Sequence, residues 1–368
     1  MNKLQILAVL ALVLASLVEP YQMGSSDYIR TLLIVSLCYV VLIAIQVGCP
    51  LQFNTPNSKR FESPITPAAY AFSVWGIIFM LEAASVVITL VPGCESWSRP
   101  IFMRVGKLMA ATWLAEASWT TIQYLQQQLR PGRELAIGFW AAALALVLGH
   151  VLVSLALREG VLELQAVMER GKPSALDEQL MAAQQAHSGK TLSVEEEAAR
   201  VLGQSGQEGA ISSWGVAGAC VLYIFPLALN AGWMGLATCL GIMQVCAVHG
   251  LSYLSMVTPG LCLMVLAACT LGAQPWCAVP PMPFTFKTHL PHLMAHLSYK
   301  LVLAWGLLGI RQAGRPKQVH DLALVLLLAL PAIGAAGITI KVWLGNRLGW
   351  LAPRSTGYQA APSFETAK

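Results

Sequence analysis

Apolar runs of about 20 residues, almost free of charge, recur from one end of this chain to the other. Nothing else in the sequence restricts the fold so tightly. A helix rises about 1.5 Å per residue, so about 20 apolar residues cross a hydrocarbon core about 30 Å thick. Eight runs after the N-terminus meet that length: Thr31–Gly48, Pro67–Val91, Arg104–Leu125, Leu135–Leu157, Val221–Val248, Tyr253–Ala273, Leu293–Ile310 and Leu322–Leu344. The runs are continuous and rich in Leu and Ala, without the alternation of barrel strands. Helices follow, because a spanning segment in lipid must satisfy its own backbone hydrogen bonds.

Charge supports the same conclusion. Only 11% of the 368 residues are charged and 56% are apolar, against about 25% charged in soluble domains. Too little charge remains to cover a soluble surface, so lipid must cover much of the exterior. The charge is also unevenly placed: 158–210 holds nine acids and five bases, and the rest is basic. A basic, apolar remainder suits anionic lipid headgroups. Nucleic acid is excluded as a partner, since no basic stripe is interleaved with exposed aromatics. The basic residues divide almost evenly between the two sides of the membrane, so they do not set its orientation.

The reading is an all-α polytopic, multi-pass transmembrane helical bundle. Residues 1–20 form a signal peptide or signal anchor, with Lys3 ahead of the apolar Leu4–Val18. Four core spans occupy 21–157, a polar acidic insert 158–210 and a fifth core span 211–250; three additional spans lie in 251–344 and a flexible tail in 345–368. In the insert, Ser193 and Glu196 have the spacing of a capping box, and Ser174 with Asp177 repeats it more weakly. The nine Cys show no metal spacing and fall mostly inside apolar runs, which makes them buried thiols; Cys49, Cys94 and Cys277 near span ends leave a disulfide open.

The chemistry concentrates in Thr66–Phe79. Pro67 can open a helix without losing a bond. Phe72, Trp75, Phe79 and Glu82 then recur at i, i+3, i+7 and i+10, on one helical stripe. Trp113, Glu116, Trp119 and Gln123 lie on one arc of the next span. Such stripes either pack against neighbouring helices or line a pocket for a flat apolar ligand. Acids within the bilayer are costly and face the bundle interior, which makes Glu82 and Glu116 functional candidates. Pro226 breaks the helical ladder one turn before Asn230, with Trp233 a further turn on.

Taken together, Thr66–Phe79, Glu116-x-x-Trp119 and Pro226…Gly232-Trp233 resemble the translocator protein/tryptophan-rich sensory protein (TspO/MBR) family, closest to its longer branch. Ser298–Trp305 with Gly309-Ile310 is similar to a later helix of that branch. The resemblance implies a five-helix core that binds porphyrins, sterol-like lipids or other flat apolar ligands in a Trp-lined cavity, and it implies a homodimer. Carried over by position, Trp75, Trp119 and Trp233 become cavity residues. The family's Asn is Glu116 here, and three further spans follow the core.

The expected function is therefore ligand binding, with transport or sensing attached. Phe72, Trp75, Glu82, Glu116, Trp119, Asn230 and Trp233 form the expected ligand site, with membrane lipids and a small apolar ligand as partners. No cofactor or metal is required. Two other readings stay open: a proton-coupled carrier using Glu82 and Glu116, and a scaffold recruiting a partner through 158–210. An enzyme is not expected, since no nucleophile elbow, P-loop, dinucleotide fingerprint or HExxH occurs. His289, His292 and His296 share a helical face at a span's edge, where an interfacial helix start suits them better than a metal.

Overall fold

The structure is a computed structural model that describes residues 25–49, 62–127, 133–170, 213–273, 286–314, 316–330 and 332. Among these residues every regular element is helical. α1 covers Ser25–Gly48; a 3₁₀ turn, Ala69–Ser73, leads into α2, Val74–Ile88; α3 is Glu95–Gln126 and α4 is Arg133–Arg170. α5, Ser213–Ala219, runs through a π-helical turn, Cys220–Ile224, into α6, Phe225–Val248. α7 is Val257–Ala273, α8 is Phe286–Gln312, and residues 317–330 are helical as well. The chain is a helical membrane bundle.

Five described helices are long and apolar enough to cross a bilayer: Asp27–Gly48, Ala69–Ile88, Arg133–Met168, Trp214–Val248 and Leu290–Gln312. Their outward side chains, among them Leu33, Val40, Met80, Leu144 and Leu148, are apolar and exposed, as a lipid-facing surface requires. α3 sits in the middle of the bundle instead. It packs on α1 and α4, and α6 packs on α4 and α8. Trp113, Glu116, Ala117 and Thr120 along its length are fully enclosed. Polar residues lower its hydropathy, and those at its centre, Thr112, Glu116 and Thr120, are enclosed by protein.

Several helix ends differ from the sequence reading, and two of them matter here. α3 begins at Glu95 rather than Arg104. α4 continues to Arg170, so 158–170 extends the fourth span as helix. At 38 residues, α4 is about 57 Å long and must project beyond a core of about 30 Å. Arg104 of α3 meets that projection, with its Nε 2.7 Å from Glu159 Oε2. The N-terminal segment 1–20, the capping boxes at Ser174 and Ser193, residues 171–212, the end of the Leu322–Leu344 span and the tail lie outside the described residues.

Cys49 and Cys94 are free thiols, and Cys277 lies outside the described residues. Of the histidines on α8, His292 and His296 are buried rather than interfacial. Gln165 of α4 donates from Nε2 to His292 Nε2 at 2.7 Å. The His289 side chain lies outside the described residues. No group of three metal-ligating side chains occurs among the described residues.

Candidate functional site

The Thr66–Phe79 segment enters α2 through local hydrogen bonds. Thr66 Oγ1 accepts from the Ser63 backbone N–H at 3.1 Å, and Thr66 N–H returns to Ser63 O at 3.1 Å. α8 then fastens the turn. Trp305 Nε1 donates to Ala71 O at 3.0 Å, and Ala68 N–H donates to Gly309 O at 2.9 Å. Position 309 has no room for a side chain, since a Cβ there would lie 2.7 Å from Ala71 Cβ and 3.0 Å from Pro67 Cβ. The Trp305…Gly309 motif thus docks onto the Thr66–Ala71 motif.

Beyond the turn, the α2 stripe meets α3 and α6 in one aromatic cluster. Trp75 stacks on Trp119 with ring centres 6.4 Å apart and planes 25° apart. Trp233 stands edge-on to Trp75 at 6.4 Å and to Phe72 at 5.5 Å. Such offset and edge-on pairs add about 0.5–1.5 kcal/mol each beyond their buried area. Their polar edges are left unused. Among the described residues, the indole N–H groups of Trp75, Trp119 and Trp233 are buried with no acceptor. A small cavity of about 20 Å³ borders Trp233 on its far side, between Ile65, Pro67, Met264, Gly306 and Ile310. That is room for about one water.

Two turns along α2, Glu82 points into a polar knot. Trp113 Nε1 donates to Glu82 Oε2 at 2.7 Å. Asn230 Nδ2 donates to Glu82 Oε1 and to Glu116 Oε1, each at 2.8 Å. Glu82 is 1% exposed, and Glu116 and Asn230 are 0% exposed. No salt bridge engages either acid among the described residues. Glu116 Oε2 and Asn230 Oδ1 are buried without a partner among the described residues.

Asn230 owes its position to the irregular backbone before it. Proline has no N–H, so Pro226 leaves the carbonyl four residues earlier, Leu222 O, unbonded within the helix. Ser85 Oγ of α2 reaches that carbonyl and also Leu81 O, so its single proton is shared between them. Tyr223, in the π-helical turn, donates back to Ser85 O at 3.0 Å. His150 Nδ1 of α4 lies 3.1 Å from Ala231 O, on the next residue. π-turns of this kind often mark functional sites in helices.

The seven residues singled out from sequence fall into two groups: Phe72, Trp75, Trp119 and Trp233 in the aromatic cluster, and Glu82, Glu116 and Asn230 in the polar knot two turns further along α2. Sequence reasoning passed over Trp113 as a site residue, although its i, i+3 spacing to Glu116 puts both on one face. It also passed over Tyr39 of α1, whose ring is 5.0 Å from Trp113 and whose hydroxyl donates to Phe79 O at 2.7 Å.

One comparison with known families matches about a third of the chain. Residues 28–155 match the family described as TSPO-like protein. Over these residues the chain is similar to that family. The TSPO-like segment contains α1, α2, α3 and most of α4, and with them Phe72, Trp75, Glu82, Glu116 and Trp119. Asn230 and Trp233 lie beyond it and complete the site from α6. No curated protein and no solved structure matches the chain significantly.

Proposed function

We propose that this integral membrane protein binds a flat, apolar small molecule, a porphyrin or sterol-like lipid, among Phe72, Trp75, Trp119 and Trp233. One observation carries the reading. Three indole N–H groups lie in a single aromatic cluster, and none has an acceptor among the described residues. Buried donors without partners cost about 1–3 kcal/mol each. A ligand with acceptor atoms on an apolar body offsets that cost while its faces stack on the rings. The neighbouring cavity is small, so the rings must part on entry. Phe72 and Trp233 close the cluster on the side of the 3₁₀ turn, the weakest helical geometry nearby.

The test is a titration of the full chain in lipid nanodiscs with protoporphyrin IX, read by Trp fluorescence. Saturable quenching is expected, and it is lost in the Trp75→Ala, Trp119→Ala double variant. Non-saturating quenching of equal slope in both proteins would overturn the proposal.

A further inference from the structure

The aromatic cluster makes no use of the two acids beside it. We infer that Glu82, Asn230 and Glu116 form a site for one exchangeable proton, with polar side chains of α3 leading from it toward the Gln123 end of the helix.

The inference begins from the hydrogen-bond arrangement around the acids. Glu82 is satisfied as a carboxylate, since each oxygen receives a donor, from Asn230 and from Trp113. Glu116 receives only one, and its Oε2 is bare, as is Asn230 Oδ1. Asn230 has placed both Nδ2 hydrogens on the two acids, so it has no further donor to offer. Two full negative charges bridged by one neutral amide, with no cation paired to them, cannot persist at this depth. One added hydrogen on Glu116 Oε2 reduces the pair to a single charge. It also supplies the one donor the cluster lacks. The site is closed to anything larger than a small ion, because Trp113 and Glu116 are 0% exposed.

The path is set by polar side chains on α3 and its neighbours. One turn beyond Glu116 is Thr120, also fully buried. Thr112, Ser118 and Thr121 donate to the carbonyl one turn back, at 2.7–2.9 Å. Thr120 instead accepts from Gln46 Nε2 of α1 at 2.9 Å. One turn further, Gln123 Nε2 donates to Gln244 Oε1 of α6 at 3.2 Å, and both are half-exposed at the helix ends. In the opposite direction, α3 buries Thr112 and Ser98 among the apolar Met109, Val105 and Phe102. The step is a simple dissociation: the Glu116 O–H bond breaks, its electron pair stays on the carboxylate, and a water entering past Gln123 and Thr120 takes up the proton.

Other titratable groups around the site are Tyr39 from α1, His150 from α4, Tyr223 from the π-helical turn, and Tyr299 from α8. Arg104 and Lys107 lie on α3 itself, more than two turns away. Of these, His150 is the one whose charge changes near neutral pH without perturbation, so its variant belongs in the test.

The experiment is infrared difference spectroscopy of the full chain in nanodiscs without ligand, stepped between pH 5 and pH 8. A protonated-carboxyl C=O band that shifts in D₂O is expected in the wild type and in His150→Gln, and it should vanish in Glu116→Gln. Intact Trp fluorescence and thermal unfolding check that each variant folds. Thr120→Val should keep the full band but slow its deuterium exchange at least tenfold. A band unchanged in Glu116→Gln, or absent from the wild type, overturns the proton site. Equal exchange rates in Thr120→Val overturn the path. A band removed by sodium at constant pH assigns the site to an alkali cation and overturns the proton. The ligand titration is a separate measurement, so either proposal can fail alone.

Discussion

Trp113 donates its indole N–H to Glu82 Oε2 at 2.7 Å, joining α3 to α2 between two side chains that are almost wholly buried. The bond is charge-assisted, the class that contributes about 1.5–3 kcal/mol. Trp113→Phe keeps the ring against Tyr39 but removes the donor. It should cost about 2 kcal/mol in unfolding free energy measured in detergent. Combined with Glu82→Leu, the Trp113→Phe change should cost far less, because the acceptor is already gone. A double-mutant cycle with coupling below about 0.5 kcal/mol would refute this account of the contact.

A second prediction concerns the docking of α8. At Gly232, a Cβ would run into Val302 Cγ1 and come within 3.3 Å of Tyr299 O. Gly232→Ala should therefore push α8 away and destabilise by about 1–3 kcal/mol, the usual cost of overpacking. Val302→Ala should restore most of that loss by removing the colliding methyl. Gly309→Ala has no such remedy. Its Cβ would meet Pro67 and Ala71, on a turn that α8 itself holds in place. Protease sensitivity near residues 62–68 should rise in Gly309→Ala and stay unchanged in the rescued Gly232→Ala, Val302→Ala pair.

The parts of this arrangement that were legible in sequence are those with a one-dimensional signature. Apolar length announced the spans. The i, i+3, i+7, i+10 spacing placed Phe72, Trp75 and Glu82 on one stripe, and Pro226 announced the irregular backbone that brings Asn230 to the acids. The rest depends on which helices meet. Nothing in the sequence near Glu82 says that its partners sit 31 and 148 positions away. Thr120 looks like an ordinary helical threonine until Gln46 is seen to reach it from α1. The extension of α4 to Arg170 was hidden because Arg158 and Glu159 resemble the start of a polar loop. Helical pairing with Arg104 decides otherwise.

That pairing supports a weaker prediction. Arg104 and Glu159 side chains are 51% and 19% exposed, so the Arg104 half of the ion pair is open to the surroundings. Exposed pairs contribute about 0.2–1 kcal/mol and weaken with salt. Arg104→Ala should lower stability by less than about 1 kcal/mol at low ionic strength, and the difference should fade at 1 M salt. A loss of several kcal/mol, insensitive to salt, would mean that the projection of α4 is held in a far drier setting.

The two buried acids should respond in opposite ways to the same isosteric change. Both oxygens of Glu82 face donors, Asn230 Nδ2 and Trp113 Nε1. Glu82→Gln must therefore turn an N–H₂ group toward one of them, leaving two donors opposed in an enclosed site. The cost should be about 1–3 kcal/mol. Glu116 has one oxygen facing Asn230 and the other bare. In Glu116→Gln the amide oxygen takes the Asn230 bond, and the N–H₂ falls where no donor opposes it. The change also removes a group that lies at 0% exposure with no paired cation, so stability should be unchanged or raised by about 1 kcal/mol. Thermal unfolding of the two single variants, side by side in one detergent, decides the matter. Equal losses would show that the bare oxygen of Glu116 is as well satisfied as those of Glu82.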